Sequence, residues 1–252
     1  MQDNGARKLL AGWYESPLGM DLLEMEREIA DRAVANLFGY YIVQMGCLGH
    51  GSLMRNSRIA SRITVHLGDV SLAGEDAGFV CSADSLAIAS DSIDVVIMPN
   101  VLEYANNPHR VLREVERVLI GDGHLVIIGF NPWSLWGLAR IMLAWRDVPP
   151  WSGRFYGISR IRDWLSLLDF EVLVIERFFF RPPLQERRLM KHLSFLEKLG
   201  KYCWPWFGGI YLITARKRIF PVNPIKLNWR EKRQLIASGM VRPSLHIRDD
   251  GN

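Results

Sequence analysis

An open α/β sheet with helices on both faces is what this sequence predicts, and three stretches predict it. From Tyr40 to Gly51 the chain reads YYIVQMGCLGHG, an apolar run that breaks into a turn carrying Gly46, Gly49 and Gly51. A buried parallel strand hands its chain to a ligand-facing loop in this way. Ile93 to Met98 is a nearly continuous apolar, β-branched run, suited to a central strand covered on both faces. Pro108 to Leu119 places Val111, Leu112, Val115, Val118 and Leu119 on one helical face, with Asn107 as its cap and Gly121 as its stop. Asp122 and Gly123 then turn the chain into a further strand from Leu125 to Ile128, which makes a right-handed crossover.

Composition sets the bounds. A chain of 252 residues, 49% hydrophobic and 23% charged, can bury one substantial core. The expected organisation is a single domain over 1–216, with an apolar helical insertion over about 131–169 and a basic, loosely ordered tail over 217–252. The net charge of +4 belongs to that tail: Arg216 to Asn252 holds nine Lys or Arg against three Asp or Glu. The remainder is slightly acidic, which argues against a nucleic-acid-binding core. The start MQDNGARK has no apolar stretch of the kind a secretory signal needs, and Cys47, Cys81 and Cys203 are dispersed and odd in number. A reduced, cytoplasmic protein without a structural metal is expected.

The remaining elements follow in order. Leu22, Met25, Ile29, Ala33, Val34 and Leu37 recur at helical spacing over Met20 to Phe38, and Gly39 stops that helix. Ile63 to Leu67 reads as a strand closing on Gly68 and Asp69, and Phe79 to Cys81 as a brief one. Asp69 stands about 20 positions beyond the glycine turn, where a carboxylate can accept both hydroxyls of a ribose. Its other reading is a turn residue that ends the strand. After the strand at 125–128, Asn131 and Pro132 open a helix that Trp133, Leu135, Trp136, Leu138, Ile141, Met142, Leu143 and Trp145 make apolar nearly all round. That pattern predicts a buried packing helix or a greasy cover over an apolar ligand. Ser159 caps a further helix to Leu168, and 170–180 and 209–216 read as strands that finish the sheet as an antiparallel hairpin. Between them, 184–201 is a basic amphipathic helix that offers either a solvated face or a contact with a membrane or an acidic partner.

These pieces carry a resemblance. The first strand with its glycine turn, then GDVS, SADSL and SDSIDVVIMPNVLEYANNPHRVLREVERVLIGDGHLVIIGF, resemble the class I S-adenosylmethionine-dependent methyltransferases of the broad type 11 group. GFNPWSLWGL, WLSLLDFEVL and YLITARKR extend the likeness to a family of uncharacterised bacterial methyltransferase-like proteins. The resemblance implies a Rossmann-like fold with a seven-stranded mixed sheet and the cofactor S-adenosylmethionine, converted to S-adenosylhomocysteine. It also implies the cofactor's contacts. Gly46, Cys47 and Gly49 would pass under its methionine part, Asp69 would hold the ribose, and Asp84, Ser85 and Leu86 would meet the adenine. Pro99, Asn100, Val101, Leu102 and Tyr104 would line the sulfonium side.

The sequence departs from the family pattern at Gln44, where an acid is usual, and at Leu48 and His50, where glycines are usual. Losing a charge-assisted hydrogen bond to the cofactor's amino group costs roughly 1.5 to 3 kcal/mol. Methyl transfer to a small, apolar acceptor is the leading expectation. A degenerate fold that binds or regulates without turnover, and an RNA methyltransferase, are the alternatives. His50, Glu103 and Tyr104 stand near the expected mouth as candidate bases, and the residues single out none of them as catalytic.

Overall fold

Two helices precede the sheet in the computed structural model, which describes residues 2–46, 52–68, 78–146, 148–183 and 204–219. The polar start gives little warning of α1 (Gln2–Tyr14), which buries Leu10 and Tyr14 at its second half. Helix α2 (Pro17–Val34) begins earlier than the apolar spacing from Met20 predicts, because Ser16 caps it by accepting the Gly19 N–H at 3.1 Å and Pro17 fits its first turn. Gly19 lets the two helices touch: a Cβ there would run into the Trp13 carbonyl oxygen and lie 2.6 Å from Tyr14 Cα.

The strands are β1 (Tyr41–Met45), β2 (Ser61–Leu67), β3 (Gly78–Cys81), β4 (Ile93–Pro99), β5 (Leu119–Phe130), β6 (Phe170–Phe178) and β7 (Ile210–Lys217). They form one seven-stranded sheet in the order β3-β2-β1-β4-β5-β7-β6. The first five are parallel, and β7 lies antiparallel between β5 and β6. The chain runs outward from β1 to β3 and then jumps to β4 on the other side, so a crevice opens between β1 and β4 at the carboxyl edge.

Each face of the sheet has its own core. On one, Ile42, Val95, Ile97, Val126, Ile128 and Leu212 meet α1 and α2. On the other, Val43, Val65, Val96, Met98, Leu125 and Ile127 meet α3 (Pro108–Val118) and a later helix. Asn107 caps α3 as expected, accepting the Arg110 N–H at 3.2 Å. Gly121 does not end it. Leu119 is already extended and pairs with Ile93, so sheet pairing takes the chain from the helix, and Gly121 to Gly123 enter β5 across an irregularity in register.

Two expectations past β5 are corrected. Helix α4 (Leu135–Leu143) is capped by Ser134, whose hydroxyl accepts the Gly137 N–H, and not by Asn131. Only Trp136 and Gly137 of it are buried, so it is neither a packing helix nor enclosed. Its short length allows one anchor to reach the core, and the Trp136 ring fills that place among Phe130, Trp151 and Phe179. Helix α5 (Ile158–Leu167) starts from Gly157 without a side-chain cap, two residues before the predicted cap Ser159. The basic stretch 184–201 and residues 220–252 lie outside the described residues.

Candidate active site

Three strand ends meet at the crevice. Gly46 turns out of β1 with φ +85°, a conformation that disfavours a side chain, while its N–H donates to the Val65 carbonyl at 2.8 Å. A Cβ at Gly46 would lie 3.7 Å from Leu67 at the end of β2 and 3.9 Å from Val101 beyond β4. Pro99 ends β4, and Asn100 follows at φ +49° with its N–H given to the Ile128 carbonyl. Val101 and Leu102 then pack into the α3-side core, and a 3-10 turn (Leu102–Tyr104) leads away.

Gln44 is fully engaged where the family pattern places an acid. Its side-chain oxygen accepts the Leu53 N–H at 2.8 Å, and its nitrogen donates to the Gly46 carbonyl at 3.0 Å. The buried amide therefore ties the start of the glycine turn to the chain that leaves it. A carboxylate could accept the first bond and could not make the second.

Asn100 opens onto a buried polar cluster built by both N-terminal helices. Its Nδ2 donates to the Tyr14 hydroxyl at 2.7 Å and to Glu26 Oε1 at 3.3 Å, and the Tyr14 hydroxyl donates to the same Glu26 oxygen at 3.0 Å. Burial pushes the Glu26 carboxyl up to about 8, against the lowering effect of these bonds. Burial likewise raises the Tyr14 phenol, with Glu26 adding to the effect. Glu103 lies within electrostatic reach of both. Its Oε1 accepts the Phe130 N–H at 3.0 Å, and burial raises its carboxyl to about 7. Glu26 Oε2, Asn100 Oδ1 and Glu103 Oε2 are buried without a hydrogen-bond partner. Three unpartnered buried oxygens at the carboxyl edge of the sheet suit a polar ligand.

The sequence-derived residues fall into four groups. Gly46, Pro99, Asn100, Val101 and Leu102 come together at the crevice. Asp84, Ser85 and Leu86 sit in a turn after β3. There Asp84 accepts from Ser82 at 2.6 Å and faces Arg110 at 3.7 Å, which together hold its carboxyl below its ordinary range. The Leu86 N–H is given to Glu114 at 2.8 Å, so a ligand at this turn would find the polar side chains of Asp84 and Ser85 rather than that amide. Tyr104 turns its ring toward Gly153 in the α1-side core, with its hydroxyl 3.4 Å from the Pro150 carbonyl. Cys47, Gly49, His50 and Asp69 lie outside the described residues. Tyr14 and Glu26 were not among the sequence candidates. The signal was there for Glu26, which falls on the apolar stripe of its helix between Leu22 and Ile29.

Comparison with known proteins agrees with this architecture. Residues 53–127 match the model of a family described as a methyltransferase domain. The uncharacterised protein YafS of Escherichia coli K12 is 33% identical over 236 residues, covering 91% of each chain. An S-adenosylmethionine-dependent methyltransferase of Thermotoga maritima superposes with a TM-score of 0.58 at 18% identity, over 79% of this chain and 95% of that one. The geranyl diphosphate C-methyltransferase of Streptomyces coelicolor, solved with Mg2+, geranyl diphosphate and S-adenosylhomocysteine, does so with 0.54 at 16%, over 79% and 80%. At such identities the structural likeness speaks for the fold.

Proposed function

The chain belongs to one family with the uncharacterised YafS and carries a methyltransferase domain over 53–127, and on that ground we propose that it methylates a small, largely apolar acceptor bearing an ionisable oxygen or nitrogen. The single observation that carries this reading is the buried carboxyl of Glu103, raised to about 7 with one oxygen unspent, at the strand end where the fold presents ligands. S-adenosylmethionine, when bound, supplies a methyl group on a positively charged sulfur.

The residues present fit such a group at two points. The Gly46 bend leaves only ordinary contact distances above it, and the orphaned Asn100 Oδ1 is an acceptor for a cationic amine. Gly46, Cys47 and Gly49 would hold the methionine end, with Asn100 to Leu102 and Tyr104 on the sulfur side. Asp69 would take the ribose, and Asp84, Ser85 and Leu86 the adenine. Glu103 takes the acceptor's proton at Oε2, a transfer that works best when the base titrates near the working pH. Tyr14 and Glu26 orient the acceptor's polar end, while the stacked rings of Phe130 and Phe155, 4.9 Å apart, keep that edge dry.

A second reading is favoured by Gln44. With both ends of its amide spent on Leu53 and Gly46, it offers the cofactor's ammonium no charge, as in a fold that binds a partner without turnover. Calorimetric titration with S-adenosylmethionine and S-adenosylhomocysteine separates the two. Micromolar binding that Asp69→Ala abolishes supports methyl transfer. Absence of binding to folded protein leaves the non-catalytic reading.

A further inference from the structure

The apolar side chains that α4 does not bury face outward as one surface. Trp133, Ile141 and Trp145 are 77%, 74% and 76% exposed, and Leu138 and Met142 stand with them. Facing them, a 3-10 turn (Pro205–Phe207) adds Trp206, 71% exposed, and Phe207. Between the two runs a groove of about 650 Å³, floored by Ile158 and Ile175. Among the described residues its charged lining consists of Arg162 and Arg177, with no Asp or Glu. Arg177 lies over the Trp206 ring at 5.1 Å, and Arg146 over the Trp145 ring at 5.2 Å.

A soluble surface seldom gathers this much contiguous apolar area without a partner. The composition narrows the partner. Indole rings beside aliphatic side chains, with guanidinium groups at their edge, match the boundary between acyl chains and phosphate headgroups. Guanidinium pairs with phosphate through two parallel bonds, and the missing carboxylates leave nothing to repel an anionic sheet of headgroups. No described helix is long and apolar enough to cross a membrane.

We propose that the α4 face, from Trp133 to Trp145 with Trp206 and Phe207, docks the protein on an anionic phospholipid bilayer. The inference is independent of methyl transfer. It has a bearing on it, because α4 follows Phe130 and the 3-10 turn precedes Ile210, which pair at the carboxyl edge of the sheet. A bilayer on this face lies beside the edge that holds Asn100 and Glu103.

The test is cosedimentation of the full chain with unilamellar vesicles of phosphatidylcholine alone or with one quarter phosphatidylglycerol. Wild type is expected to bind the anionic vesicles, with a blue shift in tryptophan emission. Trp133→Ser combined with Ile141→Ser should weaken binding at least about tenfold, as expected from withdrawing two large apolar side chains from an interface. Arg162→Gln combined with Arg177→Gln should reduce the preference for anionic over neutral vesicles. Both pairs are surface changes, and circular dichroism checks that they fold. Three results would overturn the proposal. One is no vesicle binding by wild type. Another is undiminished binding by the Trp133/Ile141 variant, which would assign binding to the basic stretch 184–201 and the tail. The third is a wild-type dimer in sedimentation velocity that this variant dissociates without any vesicle binding, which would make the face an interface between copies.

Discussion

Glu26 and Glu103 share a cost: each carboxyl is buried, and charging it requires leaving an anion with few partners in a dry core. Because both folded values lie above the ordinary 4.5, the folded chain holds more protons than the unfolded one between that pH and 7 to 8. Stability therefore falls as pH rises through this window and levels off above it. Glu26→Gln should match wild type near pH 5 and exceed it at pH 9 by on the order of a few kcal/mol, read from urea midpoints at the two pH values. Glu103→Gln should remove its share of the slope, which lies between 4.5 and about 7. Tyr14→Phe acts differently. It takes a donor from Glu26 and an acceptor from Asn100, and should cost about 1 to 3 kcal/mol at pH 5 in the same measurement. Little of this was legible in advance. Glu26 stands out as an acid on an apolar stripe, and Glu103 as an acid among Val101, Leu102 and Tyr104. Tyr14 carries no mark, because its partner Asn100 is 86 residues away and only the fold brings them together.

Among the elements, the strands were readable because a sheet covered on both faces demands continuous apolar runs, and 93–99 and 125–130 supply them. Caps were only partly readable: Asn107 was found, but Ser134 caps α4 in place of the expected Asn131, and Gly157, which has no side chain to bond, left Ser159 as the nearer guess. Helix α4 misled because periodicity reports apolar surface without saying what covers it. Helix α3 shows how an element positions a loop. Its Arg117 donates to the carbonyls of Leu86 and Ile88, to Ser90 and to Glu114, and Glu114 in turn takes the Leu86 N–H. Arg117→Ala should release the turn after β3: amide exchange at 85–90 should rise while α1 and α2 stay protected. Asn107→Ala should cost about 1 kcal/mol, seen as a lower urea midpoint with unchanged slope.

At the scale of the whole molecule, the order of strands in space departs from their order in the chain at the jump from β3 to β4 and again at β7. The β7 strand enters between β5 and β6, pairing with β5 from His124 to Phe130. Chains ending near residue 205 should therefore be recovered as aggregate while chains ending near 219 stay in the supernatant, a comparison made by fractionating cell lysates. During synthesis the same arrangement means that a long hydrophobic edge is made early and waits, uncovered, until almost the whole protein has left the ribosome. Across that interval the bare edge of β5 is open to pairing with another chain until β7 arrives to occupy it.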